Sequence, residues 1–252
     1  MLPFAALNKN LYRLIMIVAI NKPKGITSFG VVAKIRKITG IKRIGHAGTL
    51  DPLASGVLVV AIGRDATKRI SEEVSKEKEY VAEIRLGQVS ETDDAEGVAC
   101  DYLEYRLGKF VLALRPGRPI FYLIPSWEKV KGITRPFVGE IKQKPPAYSA
   151  IKVCGRRSYK LARQGRAVDL PARPVWIKDI DILDYNWPIL KMRVVCGPGV
   201  YIRSLARDIG QKLGCGAYLS ELIRTRVGEY DLENSLSLPE FKKFYDKQKI
   251  SD

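Results

Sequence analysis

The stretch GHAGTLDP, residues 45–52, sets the two side chains best suited to proton chemistry five positions apart. His46 is the only histidine in the chain, and Asp51 stands directly before a proline. Imidazole and carboxylate are the commonest general acid and base groups, and a carboxylate can also attack as a nucleophile. Pro52 restrains Asp51 to extended backbone, which helps to aim the carboxylate. Taken singly, each has an ordinary reading, His46 as a loop histidine and Asp51 as part of an Asp-Pro turn. Rival chemistries lack their residues. No G-x-S-x-G elbow supplies a serine nucleophile, and no P-loop or G-x-G-x-x-G fingerprint cradles a nucleotide. Cys100, Cys154, Cys196 and Cys215 show no C-x-x-C spacing, and one histidine cannot complete a zinc set with them.

A fold must hold this loop, and the chain is long enough to build one. Its 252 residues, 46% apolar, suffice for one large domain or two small ones with a sizeable core. Forty-three Lys and Arg against 27 Asp and Glu leave a formal charge of +16. A field of that sign attracts polyanions, with nucleic acid the first expectation and an anionic membrane surface the rival. The apolar run LYRLIMIVAI, residues 11–20, is broken by Arg13 and too short to span a bilayer. No small-residue cleavage site follows it, so a cytoplasmic protein with reduced thiols is expected.

Around the loop, hydrophobic periodicity sets out the elements. MIVAINKPKG reads as a buried strand entering a Pro-Gly turn. TSFGVVAKIRKITG reads as a helix with Thr27 or Ser28 as N-cap and Gly40 as the stop. Its outer face carries Lys34, Arg36 and Lys37, either a solvated face or an RNA contact. GVLVVAIG is a fully apolar strand. DATKRISEEVSKEKE is a charged helix capped by Asp65. In EYVAEIRLG, Tyr80, Ala82, Ile84 and Leu86 alternate with the rest, as in a strand. Residues 87–97, GQVSETDDAEG, form an acidic loop in a basic chain, and residues 108–146 read as an irregular insertion with one helix near SWEKVKG. SYKLARQG is a short helix, and RPVWIKDIDILDY and LKMRVVC are strands. GPGVYIRSLARDIGQKLG is a turn opening a helix that stops at Gly214, and AYLSELIRT reads as a further helix. Strands and helices mix without a β-α-β rhythm, so the class is α+β rather than doubly wound.

The loop and its continuation, GHAGTLDPLASGVL, resemble the active-site motif of the TruB family of pseudouridine synthases. INKPKGITS, KEYVAEIRLG, QKPPAYSAIKVCGRRSYKLAR and GVYIRSLARDIGQKLGCGAYLSELIRTRVG resemble the other family blocks, in the same order. The resemblance covers about residues 16–240, apart from the stretch near 100–135, and the PPAYSAIK block is more similar to the bacterial stand-alone branch than to the guide-RNA-dependent one. It implies a catalytic domain over 16–240 with a mixed, largely antiparallel central sheet and flanking helices. Residues 1–15 precede that domain as an extension, and residues 241–252 follow it as a tail where bacterial relatives often carry a PUA-type domain.

The resemblance also implies roles. Asp51 becomes the catalytic carboxylate, which either attacks C1′ of the nucleoside or removes its 2′ proton. Arg203 is the cation that keeps Asp51 ionised. Tyr80 stacks on the target base, although a core tyrosine fits its alternating strand equally well. Tyr201 and Leu222 line the uracil pocket, His46 holds the substrate arm, and Lys22 and Pro23 form a loop behind the tyrosine. The implied substrate is uridine 55 in the T loop of tRNA, flipped from its stack because a stacked nucleoside leaves uracil no room to turn. The isomerisation is neither redox nor hydrolytic, so no cofactor or metal is expected. The partner is the T arm of tRNA, with no membrane and no obligate protein, and the enzyme is expected to be a monomer. A non-catalytic RNA-binding protein on the same scaffold, or a synthase acting on another RNA, would be the alternatives.

Overall fold

In the computed structural model, residues 16–102, 124–149, 151–153, 155–162, 164–165 and 170–250 are described. The N-terminal extension and residues 108–123 of the expected insertion lie outside these, as does Cys154. The chain divides into two compact units, one holding residues up to Lys78 and from Arg224 onward, the other Glu79–Ile223.

The first unit begins with β1 (Met16–Lys22), α1 (Ser28–Thr39), β2 (Ile44–Ala47), β3 (Ser55–Ile62) and α2 (Arg64–Ser75). β1 runs antiparallel to β3, with Ile20 opposite Leu58, and β2 also pairs antiparallel with β3. The unbroken apolar run of β3 follows from its burial on both faces. Leu58, Val60 and Ile62 pack with Ile20, Val31, Val32 and Ile35 on one side, while Val57 and Val59 pack with Ala19, Ala47 and Val227 on the other. α1 forms where periodicity places it. The Thr27 hydroxyl oxygen accepts the Gly30 N–H, and Gly40, at φ 73°, closes the helix by donating to the Arg36 carbonyl. α2 starts two residues earlier than expected. Gly63 occupies its N-cap position without a side-chain bond, and Asp65 sits inside the first turn, where it favours the positive end of the helix dipole. α2 ends at Ser75 because Lys76 is already extended.

His46, read as a loop residue, lies on β2 opposite Val60. The unit closes with β13 (Tyr230–Asp231) and α6 (Leu238–Ile250). Residues 241–250, read as a tail, are part of that helix, and Phe241 and Tyr245 are buried. Phe241 packs into the α1 and β3 core, and the Tyr245 hydroxyl donates to the Thr39 carbonyl at 3.1 Å.

The second unit contains most of β4 (Lys78–Leu86), then β5 (Gln88–Ser90), β6 (Ala99–Asp101), α3 (Trp127–Thr134), a 3₁₀ turn (Arg135–Phe137) and β7 (Gly139–Gln143). After β8 (Lys152–Val153), β9 (Arg156–Arg157) and α4 (Ser158–Ala162) come β10 (Arg173–Asn186), β11 (Ile189–Cys196), α5 (Ile202–Leu213) and β12 (Ala217–Val227), which runs on into the first unit at Arg224. Here the strand order is β12-β4-β11-β10-β7, and β10 is antiparallel to both β11 and β7. Alternation along β4 is as expected, with Tyr80, Ala82, Ile84 and Leu86 buried. α5 buries Ile202, Leu205, Ala206, Ile209 and Leu213, one face of a 3.6-residue period, and Gly214 stops it at φ 79°.

Three readings are corrected here. The region 124–146 is not irregular, since β7 pairs with β10 over five residues. AYLSELIRT is a strand, not a helix. Leu222 and Arg224 point inward while Glu221 and Ile223 are exposed, the two-residue period of a strand. Short apolar runs fit either period, and here the neighbouring strands decide it. The acidic loop likewise includes a strand, β5, paired with β6. The class is α+β, and every ladder between named strands whose direction is given above is antiparallel.

Candidate active site

In the first unit the Asp51 loop is held at several points. Ser28, buried at the first turn of α1, donates its hydroxyl to the Leu50 carbonyl at 2.9 Å and accepts the Leu50 N–H at 2.8 Å. The Ala54 N–H donates to the Asp51 carbonyl at 3.1 Å, turning the chain just past the carboxylate. The Gly25 N–H donates to the Pro52 carbonyl at 2.8 Å, which ties the β1–α1 turn to the same loop. Within that turn Lys22 is fully buried, with its ammonium donating to the Pro23 and Ile26 carbonyls. Lys22 thus braces the turn from inside, while Pro23 is exposed on it.

A second buried cation spans the loop. Arg224, 1% exposed, donates Nε to the Val57 carbonyl at 2.7 Å and Nη2 to the Gly48 carbonyl at 3.1 Å. Those carbonyls stand on either side of Asp51 in sequence, so one rigid guanidinium fastens both ends of the segment that carries it. The close approach requires Gly56. At φ 102°, a Cβ there would lie 2.2 Å from the Arg224 carbonyl oxygen. Burial, followed by the charge of Arg224, holds the His46 imidazole below its ordinary range, which favours the neutral ring. Its Nδ1 is buried without a hydrogen-bond partner.

In the second unit, Tyr201 and Arg203 stand at the start of α5. Tyr201 has no side-chain cap, and its main chain is clamped by buried Gln143. The Tyr201 N–H donates to Gln143 Oε1 at 2.8 Å, and Gln143 Nε2 donates to the Tyr201 carbonyl at 3.1 Å. The Arg173 guanidinium lies 5.4 Å from the centre of the Tyr201 ring. Arg203 is buried and donates Nη1 to the Thr92 carbonyl at 3.1 Å and Nη2 to the Tyr148 carbonyl at 2.9 Å. Its Nη1 is also 3.3 Å from Asp94 Oδ2. One turn later Arg207 pairs with Asp93 at 2.8 Å. Burial pushes the Asp93 carboxyl up, against the lowering effect of Arg207 and Arg203. Tyr80 on β4 and Leu222 on the neighbouring strand β12 are both buried.

The expected residues therefore fall into two groups. Lys22, Pro23, His46 and Asp51 share the first unit, and Tyr80, Tyr201, Arg203 and Leu222 share the second. Sequence reasoning missed Ser28 as a loop anchor, Arg224 as a buried clamp, Gln143, and the carboxylates Asp93 and Asp94. The last two had a visible signal. An acidic run in a chain of charge +16 is spent on arginines elsewhere in the fold. Among the described residues no group of three His, Cys, Asp or Glu side chains is placed to hold a metal ion, and no helix is long and apolar enough to cross a membrane.

The α+β scaffold with its antiparallel ladders is one that pseudouridine synthases use, and comparison with known proteins assigns the family. Residues 36–107 and 122–202 match the TruB family pseudouridylate synthase N-terminal domain, and residues 203–252 match the tRNA pseudouridylate synthase B C-terminal domain. The tRNA pseudouridine synthase B of Protochlamydia amoebophila is 44% identical over 222 residues, 88% of this chain and 77% of that protein. That of Phocaeicola vulgatus is 44% identical over 238 residues, 92% of this chain and 94% of its own. Among solved structures, a Cbf5-Nop10-Gar1 complex contains a chain of similar fold, with TM-score 0.69 and 29% identity over 97% of this chain. This protein spans 59% of that chain, less than two thirds of its length. The chain belongs to the TruB family of pseudouridine synthases.

Proposed function

We propose that this protein isomerises uridine to pseudouridine in tRNA, at uridine 55 of the T loop, with Asp51 as the catalytic carboxylate. The carrying observation is the construction around Asp51. Ser28 fixes the residue before it, the β1–α1 turn fixes the residue after it, and Arg224 fastens the segment on both sides. A side chain in an ordinary surface turn has no need of that support, whereas a nucleophile or base loses rate steeply when displaced by an ångström.

The reaction breaks the N1–C1′ bond, turns the uracil and joins C5 to C1′, and the proton lost at C5 is balanced by one gained at N1. Asp51 acts at C1′ or at the 2′ proton. Arg203 is the cation that keeps it charged, and Arg203 depends in turn on Asp94 for its own position. Tyr80 stacks on the uracil, and its phenol assists loss of the C5 proton. Tyr201 and Leu222 line the base pocket, with Gln143 setting the main chain of Tyr201. The neutral His46 imidazole, with Nδ1 unsatisfied, holds the flipped nucleotide by a hydrogen bond. Lys22 and Pro23 stiffen the β1–α1 turn that is tied to the Asp51 loop. The enzyme works as a cytoplasmic monomer on the T arm and takes no cofactor.

The test is Asp51→Asn, which keeps the side chain's size and removes its charge. Incubated with unmodified tRNA transcript, the parent is expected to convert one T-loop uridine, and the variant to bind the transcript without converting it. Turnover within tenfold of the parent, about 1.4 kcal/mol of barrier, would remove Asp51 from the chemistry. Pseudouridine mapped to another position would move the substrate assignment.

A further inference from the structure

The groove between α1 and the start of α6, in the first unit, has a volume of about 870 Å³. Its lining includes the apolar Ile38, Leu238 and Pro239 together with Lys34, Lys37 and Lys242. The packing explains the shape. Phe241 draws α6 onto Val31, Val32 and Ile35, which leaves the outer edges of the two helices standing apart. All three lysines are exposed, and among the described residues none has an ion pair. Glu240, the carboxylate closest to Lys242 in sequence, is used within its own helix. It accepts the Ser237 N–H at 2.8 Å and the Ser237 hydroxyl at 2.6 Å as a capping box.

The α2 helix of the same unit is treated differently. There Lys68 pairs with Asp65, Arg69 with Glu72, and Lys76 with Glu73 and Glu229. Positive charge is balanced on α2 and left unbalanced along the α1–α6 groove. A concave strip of unpaired ammonium groups beside apolar lining residues fits a strand of phosphates and riboses, because each cation neutralises a phosphate and releases its counterions. The groove also leads somewhere. Asn21 and Pro23 form one of its walls, and the turn to which they belong donates the Gly25 N–H to the carbonyl of Pro52, next to Asp51.

We infer that the α1–α6 groove is a docking track for the sugar-phosphate backbone of the RNA substrate, with Lys34, Lys37 and Lys242 each engaging a phosphate. This rests on the proposed action on tRNA and adds the surface by which the strand reaches the Asp51 loop. Phosphate contacts position a nucleic acid without reading its sequence, so the groove supplies affinity and register rather than choice of uridine.

The experiment compares the parent with a triple variant, Lys34→Gln, Lys37→Gln and Lys242→Gln. A control, Arg64→Gln, Lys68→Gln and Arg69→Gln, removes the same charge from α2. Dissociation constants for unmodified tRNA transcript are measured over a salt series, with pseudouridine formation followed separately. The groove variant is expected to bind at least tenfold more weakly, with the slope of log K against log salt shallower by about 2 to 3, the sum of three phosphate contacts. Its KM should rise while kcat at saturating transcript stays within threefold, and the α2 control should keep the parent's affinity and slope. Equal losses in both variants would reduce the effect to net charge and overturn the track. So would parent-like transcript binding by the groove variant, including the case in which it loses binding only to vesicles of anionic lipid or to an acidic protein. If the parent binds transcript but forms no pseudouridine, the proposed function fails, while the affinities still judge the groove.

Discussion

The hydroxyl of Ser28 meets both main-chain polar groups of Leu50, donating to the carbonyl at 2.9 Å and accepting the N–H at 2.8 Å. Twenty-two residues separate them in sequence, yet the bond sets the backbone immediately before Asp51. Ser28→Ala should therefore lower stability by about 1–3 kcal/mol, the cost of leaving buried polar groups unsatisfied. It should also lower kcat for pseudouridine formation by more than its effect on transcript binding. Urea unfolding and a single-turnover assay would read the two, and an alanine variant with undiminished kcat would make the bond merely structural.

Arg203 and Asp94 are both buried with their charges 3.3 Å apart, so removing the Asp94 carboxylate takes a close buried partner from the guanidinium. Asp94→Asn is expected to cost about 3 kcal/mol of stability and about a hundredfold in rate, as the guanidinium loses its setting. Asp93→Asn is the comparison. Asp93 sits at φ 60°, a conformation that asparagine also accepts, and its partner is Arg207. That variant should keep its activity, and a rate loss equal to that of Asp94→Asn would deny Asp94 a specific role.

His46 is the only histidine, so one imidazole signal in a proton–nitrogen spectrum reports its titration without assignment. Burial first, and Arg224 second, hold its pKa below the ordinary 6.5. The unfolded chain then binds more protons than the folded one between the depressed folded value and 6.5. The contribution to stability is complete above the unfolded pKa and is lost as pH falls toward the folded one. A measured midpoint at or above 6.5 would contradict this, and denaturation midpoints that fail to drop with acid across that window would contradict the linkage.

Tyr80 is 7% exposed on the same strand face as Ala82, Ile84 and Leu86, so its role on the base must be separated from packing. Tyr80→Phe keeps the ring and removes the phenol. Activity should fall a hundredfold or more, the scale of a positioned acid or base, with little change in Tm. A phenylalanine variant that keeps its rate but melts far lower would assign the residue to the core.

What was legible in the sequence was mostly local. Thr27 and Gly40 mark the ends of α1 because a hydroxyl cap and a left-handed glycine act on the adjacent turn. The alternation from Tyr80 to Leu86 shows β4, since one buried face imposes a two-residue period. Asp51 was recognisable because proline sets its backbone from the next position, and the resemblance of the surrounding blocks supplied the family.

Tertiary structure decided the rest. The residues 217–225 carry an apolar pattern that a helix could also use. They become β12 because neighbouring strands take up their backbone hydrogen bonds and Gly56 lets a carbonyl approach where a side chain would collide. Only then does Arg224 turn inward to the Gly48 and Val57 carbonyls, while Ile223, the apolar residue beside it, faces out. Asp94 looked like one acid in a solvated loop until its partner arrived from a helix more than a hundred residues away. Sequence by itself determined the α+β class and the family, and through the resemblance it named the carboxylate to test. The supports of that chemistry were decided in three dimensions, because a buried charge is tolerable only where distant parts of the chain bring carbonyls or an opposite charge to meet it.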